Sequence, residues 1–509
     1  KSFCGCKYKI FFIVLNNILD FIECKKIEGQ IHNFNIFVGA SDQFMQAVKD
    51  GTDYPLLMKS KPADSNSEMI EVGRLDAREV FDKIVHGAWS NGEPGMVFLD
   101  EVNRNSPVKH VGIITATNPC GEQPLLPNES CNLGSINLAN LTKRTADGQY
   151  EFDWQKYEEI VRKTTRFLDN VIDVNHYPVP EINVASKESR RIGLGVMGVA
   201  DLLYKLRIPY NSKEGYEFMG KLSEALSYYS MEESVALAQS RGAFPLCSKT
   251  EYPEGKIPIA GYYEKPKQRH YYDWDALIAK IQKHGVRHVL TTTVAPTGTL
   301  SMLADCSNGM EPTFALVFEK RVTVGRFFYT NKIFEEVLRE NGIYSEELLA
   351  KVADNYGSVK GIDEIPEWIQ NIFVTAMDIH WTDHLMAQAV WQDWIGNAIA
   401  KTINMPNDVS AEDVKAAYLL AHELGLKGIT VYRDGSRHKQ VLHMTGENSQ
   451  KTFEVTATDY LHDYITNNIK NPYILKQINE ALKVTPPQEI PHENRVVAEP
   501  DIEEKLCPT

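Results

Sequence analysis

A proline-rich segment of this chain carries a thiol between an amide and a carboxylate. Asn118, Cys120 and Glu122 alternate along it, and prolines at positions 119, 124 and 127 exclude a long helix or a central strand. In an extended stretch, residues two apart point the same way, so these three side chains can converge on one small molecule. The segment therefore predicts a rigid loop that carries a site.

A second thiol, Cys131, follows eleven positions after Cys120. Buried cysteines are usually small hydrophobic side chains, and a pair can also belong to a zinc site or a disulfide. Zinc is disfavoured because no C-x-x-C or H-x-H partner lies nearby. A structural disulfide is disfavoured by the low cysteine content of an acidic chain, and Cys247 and Cys306 are interpreted as buried small side chains. Thiol chemistry remains for Cys120 and Cys131.

The stretch 291–301 is the second dense signal. Its β-branched run predicts a buried strand, after which Pro296 and Gly298 turn the chain. Such a turn exposes backbone N–H groups and hydroxyls, which are the groups that a phosphate needs. An ordinary turn between a strand and a helix explains these residues equally well. The residues alone leave both interpretations open.

Composition sets broad limits. With 509 residues, of which 43% are hydrophobic, the chain can bury one large core or two ordinary ones. A formal charge of −14 argues against binding nucleic acid as a polymer. No window reaches the roughly 18 apolar residues of a membrane span, and the 14 His show no metal spacing. These observations favour a soluble cytoplasmic protein with no bound metal.

Helical and extended patterns alternate along the chain. A helical period starts after Asp153, and Ser410 with Asp413 forms a capping box that opens a helix through Leu424. Residues 96–99 and 428–432 are short apolar runs typical of buried strands. Helices that alternate with strands predict an α/β architecture with parallel strands. The pattern loosens beyond about residue 450.

The motifs carry a family resemblance. The stretch Ala116-Thr117-Asn118-Pro119-Cys120-Gly121-Glu122-Gln123-Pro124-Leu125-Leu126-Pro127 resembles the active-site loop of ribonucleoside-diphosphate reductases, particularly the adenosylcobalamin-dependent class II enzymes. Further landmarks follow in the family's order from about Ile18 to about Arg437. They are Gly92-Glu93-Pro94-Gly95, Arg191-Ile192-Gly193-Leu194-Gly195-Val196-Met197-Gly198, Ala295-Pro296-Thr297-Gly298-Thr299, Lys401-Thr402-Ile403-Asn404-Met405-Pro406 and Gly428-Ile429-Thr430-Val431-Tyr432-Arg433-Asp434-Gly435.

The resemblance implies a fold and an activity. The fold would be a ten-stranded α/β barrel, truncated at its N-terminal side, with Cys120 at the tip of a central finger loop. The activity would be reduction of ribonucleoside diphosphates to 2′-deoxyribonucleotides for DNA precursor synthesis, with adenosylcobalamin as the cofactor. A class I large subunit, which takes its radical from a partner protein, is the alternative. Its tyrosine relay needs two adjacent Tyr where this chain has Val431-Tyr432, so class II is favoured.

Family roles carry over residue by residue. Cys120 would become a thiyl radical that takes the 3′ hydrogen of the ribose, Glu122 would accept the 3′-hydroxyl proton, and Asn118 would orient the substrate. Cys131 would be one of two thiols that supply electrons and end as a disulfide. The substrate phosphates would bind the loop formed by Pro296, Thr297, Gly298 and Thr299.

The resemblance also implies partners. A thioredoxin-like protein or another dithiol would be the reductant, and a deoxynucleoside triphosphate would be the effector of the full-length protein. The family allows a homodimer. No nucleic acid polymer and no membrane are expected as partners.

Where the chain departs from the family, it predicts a fragment. Residues 1–17 match nothing, 18–440 would form a partial barrel, 441–485 a C-terminal extension, and 486–509 a linker with the start of a cysteine-rich redox tail. The N-terminal third of the family, with the partner of Cys131 and most of the effector site, would be missing. The chain alone is therefore expected not to turn over, which makes a non-catalytic nucleotide-binding fragment the third alternative.

Overall fold

A computed structural model of the chain describes residues 11–12, 18–26, 34–60, 68–264, 270–322, 325–436, 465 and 469–482. The expected linker and redox tail, 486–509, lie outside the described residues. The expected extension, 441–485, is described at 465 and 469–482. The boundaries of the domains remain predictions.

Helices and strands are interspersed through the described chain, with runs of consecutive helices in its middle part. The helices are α1 (Ile18–Glu23), α2 (Asp42–Asp50), α3 (Ala77–Asn91), α4 (Leu99–Arg104), α5 (Trp154–Val174), α6 (Pro180–Ser189), α7 (Val199–Leu206), α8 (Lys213–Arg241), α9 (Ala260–Glu264), α10 (Trp274–His284), α11 (Gly298–Ala304), α12 (Lys332–Glu340), α13 (Glu346–Asp354), α14 (Glu367–Ile372), α15 (Trp381–Gln392), α16 (Ala411–Glu423) and α17 (Pro472–Ala481). The strands are β1 (Phe11–Phe12), β2 (Phe37–Ala40), β3 (Asp53–Lys59), β4 (Met69–Asp76), β5 (Gly95–Phe98), β6 (Ala116–Thr117), β7 (Pro124–Leu125), β8 (Asn132–Asn137), β9 (Thr142–Arg144), β10 (Tyr150–Phe152), β11 (Ile192–Met197), β12 (Val317–Val322), β13 (Gly325–Thr330), β14 (Thr402–Met405) and β15 (Gly428–Arg433).

Local signals explain several of these boundaries. Ser410 and Asp413 form the predicted capping box of α16, and Gly425 follows its C-terminus with a left-handed φ of 67°. Asp153 caps α5 through a hydrogen bond from the N–H of Lys156. The two predicted strands form as β5 and β15, although Leu99 already belongs to α4. The predicted capping box, the predicted helix after Asp153 and the two predicted strands are thus confirmed.

The central sheet joins two groups of parallel strands. One five-stranded sheet has the order β1-β2-β5-β15-β14, in which β15 and β5 are antiparallel and the other pairs are parallel. Strands β8 and β11 form a second parallel pair. Parallel bridges from Leu194 to Thr292 and from Val294 to Ile399 connect that pair, through residues 292–294, to the chain just before β14. The strands around the site therefore form one continuous row.

The outer face of this row is covered by helices. Phe81 of α3, Leu194 of β11, Trp391 of α15 and Leu420 of α16 are fully buried members of one hydrophobic cluster. Side chains of β14 alternate, so that Ile403 and Met405 are buried while the residues at 402 and 404 are half-buried. One face of the row thus packs against helices, and the other face is left for a cavity and its loop.

No helix among the described residues is long and apolar enough to cross a membrane.

Candidate active site

The segment 118–123 forms a tight loop between β6 and β7, which pair as an antiparallel hairpin. The side-chain oxygen of Asn118 accepts hydrogen bonds from the N–H groups of Gly121, at 3.1 Å, and Gln123, at 3.0 Å. Gly121 has a φ of 89°, a conformation that favours glycine. Asn118 therefore closes the turn that presents Cys120, which is a structural task in addition to the substrate contact predicted for it.

Contacts from three other segments hold this loop in place. The carbonyl of Glu122 accepts hydrogen bonds from the Ala398 N–H, at 3.0 Å, and from the Thr293 hydroxyl, at 2.9 Å. The Asn35 side chain donates to the carbonyl of Pro119 at 2.9 Å. Because Thr293 lies on the bridged segment 292–294, the loop is fixed to the central row of strands. Rigid support of this kind is what a reacting group needs.

The loop also needs space above β11. A Cβ atom at Gly193 would lie 2.5 Å from Cδ2 of Leu133 and 2.6 Å from Nε2 of Gln123, and one at Gly195 would lie 2.5 Å from the carbonyl oxygen of Thr293. These glycines are two positions apart and so face the same side of the strand. Their missing side chains let the loop and segment 292–294 approach β11.

Gly193→Ala should therefore destabilise the protein by about 1–3 kcal/mol, because the added methyl group forces Gln123 and Leu133 to move. Gly220→Ala is the matched control, since a Cβ at Gly220 in α8 meets nothing within 4 Å. That change should stabilise the protein by about 0.5–1 kcal/mol through better helix propensity. Denaturant unfolding measures both values, and a Gly193→Ala protein as stable as the wild type would contradict the close packing.

Cys120 lies on the wall of a cavity of about 1200 Å³, which Pro296 also lines. The Cys120 residue is exposed to this cavity. Partial burial of its sulfur and the nearby Glu122 carboxylate raise the pKa of the Cys120 thiol to about 11. At neutral pH the group is therefore a protonated thiol, with a hydrogen atom to give and to take back.

Glu122 is almost completely enclosed, with 2% of its surface exposed. Burial raises the pKa of its carboxyl above the ordinary value, and hydrogen bonds from its own N–H and from Asn118 oppose that shift. Its Oε2 atom has no hydrogen-bond partner among the described residues. A buried carboxylate with a vacant acceptor and a raised pKa is suited to receive a proton.

Cys131 does not line the cavity of Cys120, although two thiols that act on one ribose would be expected to reach a common cavity. It lies on a separate cavity of about 310 Å³, next to Tyr177 and Arg191. The reason is its position directly before β8, where pairing with β11 turns its side chain towards α5 and the segment before α6. Burial raises the pKa of the Cys131 thiol, and Glu122 raises it further. Glu122 thus acts electrostatically on both thiols.

The loop 296–299 joins segment 292–294 to α11. Thr297 has a left-handed φ of 53°, and its hydroxyl accepts a hydrogen bond of 2.7 Å from the N–H of Gly309. That hydroxyl is therefore used to hold the loop, whereas Gly298 and Thr299 are exposed. Of the four loop residues, Pro296 lines the cavity of Cys120, whereas Thr297, Gly298 and Thr299 are not among its lining residues. Phosphate binding by this loop stays a prediction.

A charged cluster near the wall of this cavity, formed by Lys401, Glu311 and His384, was not predicted from the sequence. Lys401 is fully buried, pairs with Glu311 and donates to Nδ1 of His384 at 2.8 Å. Nε2 of His384 lies 3.0 Å from the carbonyl of Ala376 and donates to it, because Nδ1 is the acceptor. Burial lowers the pKa of His384 well below its ordinary value. Lys401 stood in a landmark motif, but its partners are distant in sequence and nothing in the motif indicates them.

The row of strands, the finger loop and the cavity define a class of protein. The family described as "Ribonucleotide reductase, barrel domain" matches residues 10–432, and this chain belongs to that family. The predicted fold class is thereby confirmed.

Curated relatives agree with this assignment. The chain is 43% identical over 428 residues to a vitamin B12-dependent ribonucleoside-diphosphate reductase of Thermoplasma acidophilum, covering 84% of this chain and 50% of that protein. It is 39% identical to a protein of the same name from Mycobacterium tuberculosis strain CDC 1551 / Oshkosh, covering 84% of this chain and 56% of that protein. The chain thus spans about half the length of these relatives.

A solved structure has the same fold. It is the class Id ribonucleotide reductase alpha subunit of Actinobacillus ureae, with a TM-score of 0.63 and 20% sequence identity, over 83% of this chain and 70% of that chain. At this identity the similarity supports the fold alone.

Proposed function

We propose that this chain provides the catalytic barrel for reduction of ribonucleoside diphosphates to 2′-deoxyribonucleotides through a thiyl radical. The observation that carries the proposal is the single cavity shared by Cys120 and Pro296, with Glu122 two residues from the thiol. A nucleotide with its phosphates at loop 296–299 can extend its ribose towards the finger loop. The names of the relatives support the same reaction and favour class II over class I.

The chemistry of the ribose divides among four side chains. The sulfur of Cys120, as a radical, takes the 3′ hydrogen, and Glu122 takes the proton of the 3′-hydroxyl so that the 2′ C–O bond becomes labile. Asn118 keeps Cys120 and Glu122 in their relative positions through its hydrogen bonds within the loop. Cys131 supplies one of the two thiols whose oxidation to a disulfide delivers two electrons.

The residues around Cys120 fit adenosylcobalamin as the source of the radical. The thiol is exposed to a cavity of about 1200 Å³, and its pKa of about 11 preserves the S–H bond from which a hydrogen atom is taken. Asn35 and Phe37 line the cavity beside the finger loop and would border the bound group. When bound, adenosylcobalamin supplies a carbon-centred radical by breaking its cobalt–carbon bond.

The remaining partners follow from the same reaction. A dithiol, such as a thioredoxin-like protein, would return the Cys131 disulfide to thiols, and a deoxynucleoside triphosphate would act as effector of the whole protein. The loop Pro296, Thr297, Gly298 and Thr299 would bind the substrate phosphates through exposed N–H groups and the Thr299 hydroxyl. The protein would work in the cytoplasm, and a homodimer is compatible with the family.

Electron paramagnetic resonance and product analysis test the proposal together. With adenosylcobalamin, a ribonucleoside diphosphate and a dithiol, the full-length protein should give a coupled cobalt–thiyl signal and deoxynucleotide, whereas the 509-residue chain alone should not turn over. Omission of adenosylcobalamin is the control. Product that forms equally well without it would contradict the class II assignment, and the absence of any signal or product would contradict the reaction.

A further inference from the structure

The surroundings of Cys131 contain an ion pair that the proposed reaction does not use. Arg191 lines the small cavity with Cys131, and its NH2 atom lies 3.0 Å from Oε2 of Glu129. The side chains of both charged residues are almost completely buried. Glu129 lies two residues before Cys131, so the ion pair and the thiol belong to one local unit.

Each partner is held by a contact of its own. NH1 of Arg191 donates to Oδ1 of Asn397 at 2.9 Å, and Oε2 of Glu129 accepts from the N–H of Leu126 at 3.0 Å. Yet Nε of Arg191 and Oε1 of Glu129 are buried and make no hydrogen bond within the part of the chain that the structure describes. Buried ion pairs that are incompletely satisfied contribute little to stability, so a chemical role is the better explanation.

The charges around Cys131 oppose one another. Burial of the sulfur raises the pKa of the Cys131 thiol, Arg191 lowers it, and Glu129 and Glu122 raise it. Tyr177 is the other titratable group described on this cavity, and its hydroxyl donates to the carbonyl of Ile172 at 3.4 Å. Arg191 is thus the cation that acts on this thiol from the cavity wall.

We propose that Arg191 is a positioning residue that stabilises negative charge on the sulfur of Cys131, and that Glu129 limits this effect by pairing with the guanidinium. The inference rests on the redox role proposed for Cys131. A thiolate of the dithiol reductant attacks the sulfur bonded to Cys131, the old S–S bond breaks, and Cys131 leaves with the electron pair as a thiolate. The reductant becomes part of the new S–S bond.

The rate at which iodoacetamide alkylates Cys131, followed by mass spectrometry of its peptide, tests this inference without any nucleotide. Only the thiolate reacts, so the rate at neutral pH reports the fraction of charged sulfur. Arg191→Met should slow alkylation by about tenfold, since losing one cation shifts such an equilibrium by about one pKa unit. Glu129→Gln should accelerate it by a similar factor, because it removes a negative charge and retains an oxygen for the Leu126 N–H.

Opposite changes in the alkylation rate of Cys131 in Arg191→Met and Glu129→Gln distinguish an electrostatic role of the ion pair from a structural one. If the pair only held the local fold, both variants would loosen the site and both would expose Cys131 to faster alkylation. Arg191→Lys keeps the charge and should stay close to the wild-type rate. Arg191→Gln, which also removes the charge, replaces Arg191→Met if that variant fails to fold. Cys24, which is half-buried and is not among the residues that line this cavity, serves as the internal reference thiol in every digest.

Two results would overturn the inference: changes of the same sign in Arg191→Met and Glu129→Gln, or an unchanged rate in both. Failure of the proposed function is recognised separately, because it would appear as absent nucleotide reduction in the wild-type protein. In that case the order of the alkylation rates would still report the electrostatics of Cys131.

Discussion

In the full-length protein, Cys120→Ser is expected to abolish the formation of deoxynucleotides, with a fall on the order of 10⁶-fold or more towards the uncatalysed rate. A serine O–H bond is stronger than a thiol S–H bond, so the radical that must take the 3′ hydrogen no longer forms on this loop. Chromatography of the product from a ribonucleoside diphosphate, with adenosylcobalamin and a dithiol present, measures the loss. The coupled cobalt–thiyl signal should disappear with it.

Cys306→Ser is the matched control for that experiment. Cys306, which was expected to be buried, is a half-buried free thiol on the wall of the same cavity. The substitution therefore tests whether any thiol there suffices. Most of the wild-type rate should remain. A Cys120→Ser protein that still makes product, or an equal loss in Cys306→Ser, would show that the hydrogen-abstracting thiol has been assigned to the wrong residue.

Glu122→Gln is expected to lower the rate by about 10²–10⁴-fold, the usual contribution of a positioned general base. The amide keeps the size of the side chain but cannot accept the proton of the 3′-hydroxyl. In the wild-type protein, kcat/KM should fall as acid protonates Glu122. Because burial raises the pKa of this carboxyl, that fall should begin at a higher pH than for a carboxyl with the ordinary pKa of 4.5.

The acid limb should be missing from the pH profile of Glu122→Gln. Glu224→Gln tests whether another buried carboxyl causes the fall in rate at low pH. Burial also raises the pKa of Glu224, to about 7, while its Oε1 accepts a hydrogen bond from Trp274. This second carboxyl belongs to α8, outside the loop 118–123 that carries Cys120 and Glu122. Glu224→Gln should keep the fall of kcat/KM at low pH. If that fall persists in Glu122→Gln, Glu122 is not the proton acceptor of the reaction.

Local signals in the sequence were sufficient for much of the architecture. The capping box at Ser410 and Asp413 depends on two residues three positions apart and forms as predicted, and the helix predicted after Asp153 also forms. Strands β5 and β15 could be predicted because each is a short run of mostly apolar residues, which is also a local sequence pattern. The antiparallel junction between those two strands depends on contacts between distant segments, and no local pattern could indicate it.

The grouping of the candidate reactive residues could be predicted from the sequence, but the contacts that support them could not. Asn118, Cys120 and Glu122 share one loop, so their spacing along the chain was enough to group them. The hydrogen bond from Thr293 to the Glu122 carbonyl and the contact between Gly193 and Gln123 join segments far apart in sequence. The direction of Cys131 depends on the register of β8 against β11, in which Asn132 faces Ile192. Such relations appear only once the chain is folded.

The hydroxyl of Thr293 donates to the carbonyl of Glu122 and so fixes the loop 118–123 to segment 292–294. The turn that follows this segment, at Thr297, is held by a hydrogen bond from the N–H of Gly309. Four residues of extended backbone span at most about 13–14 Å, and this short, bridged stretch has little freedom to change its length. This stretch therefore sets the distance between the loop that carries Glu122 and the phosphate loop 296–299. A ligand whose ribose and phosphates are not separated by that distance cannot contact both loops at once.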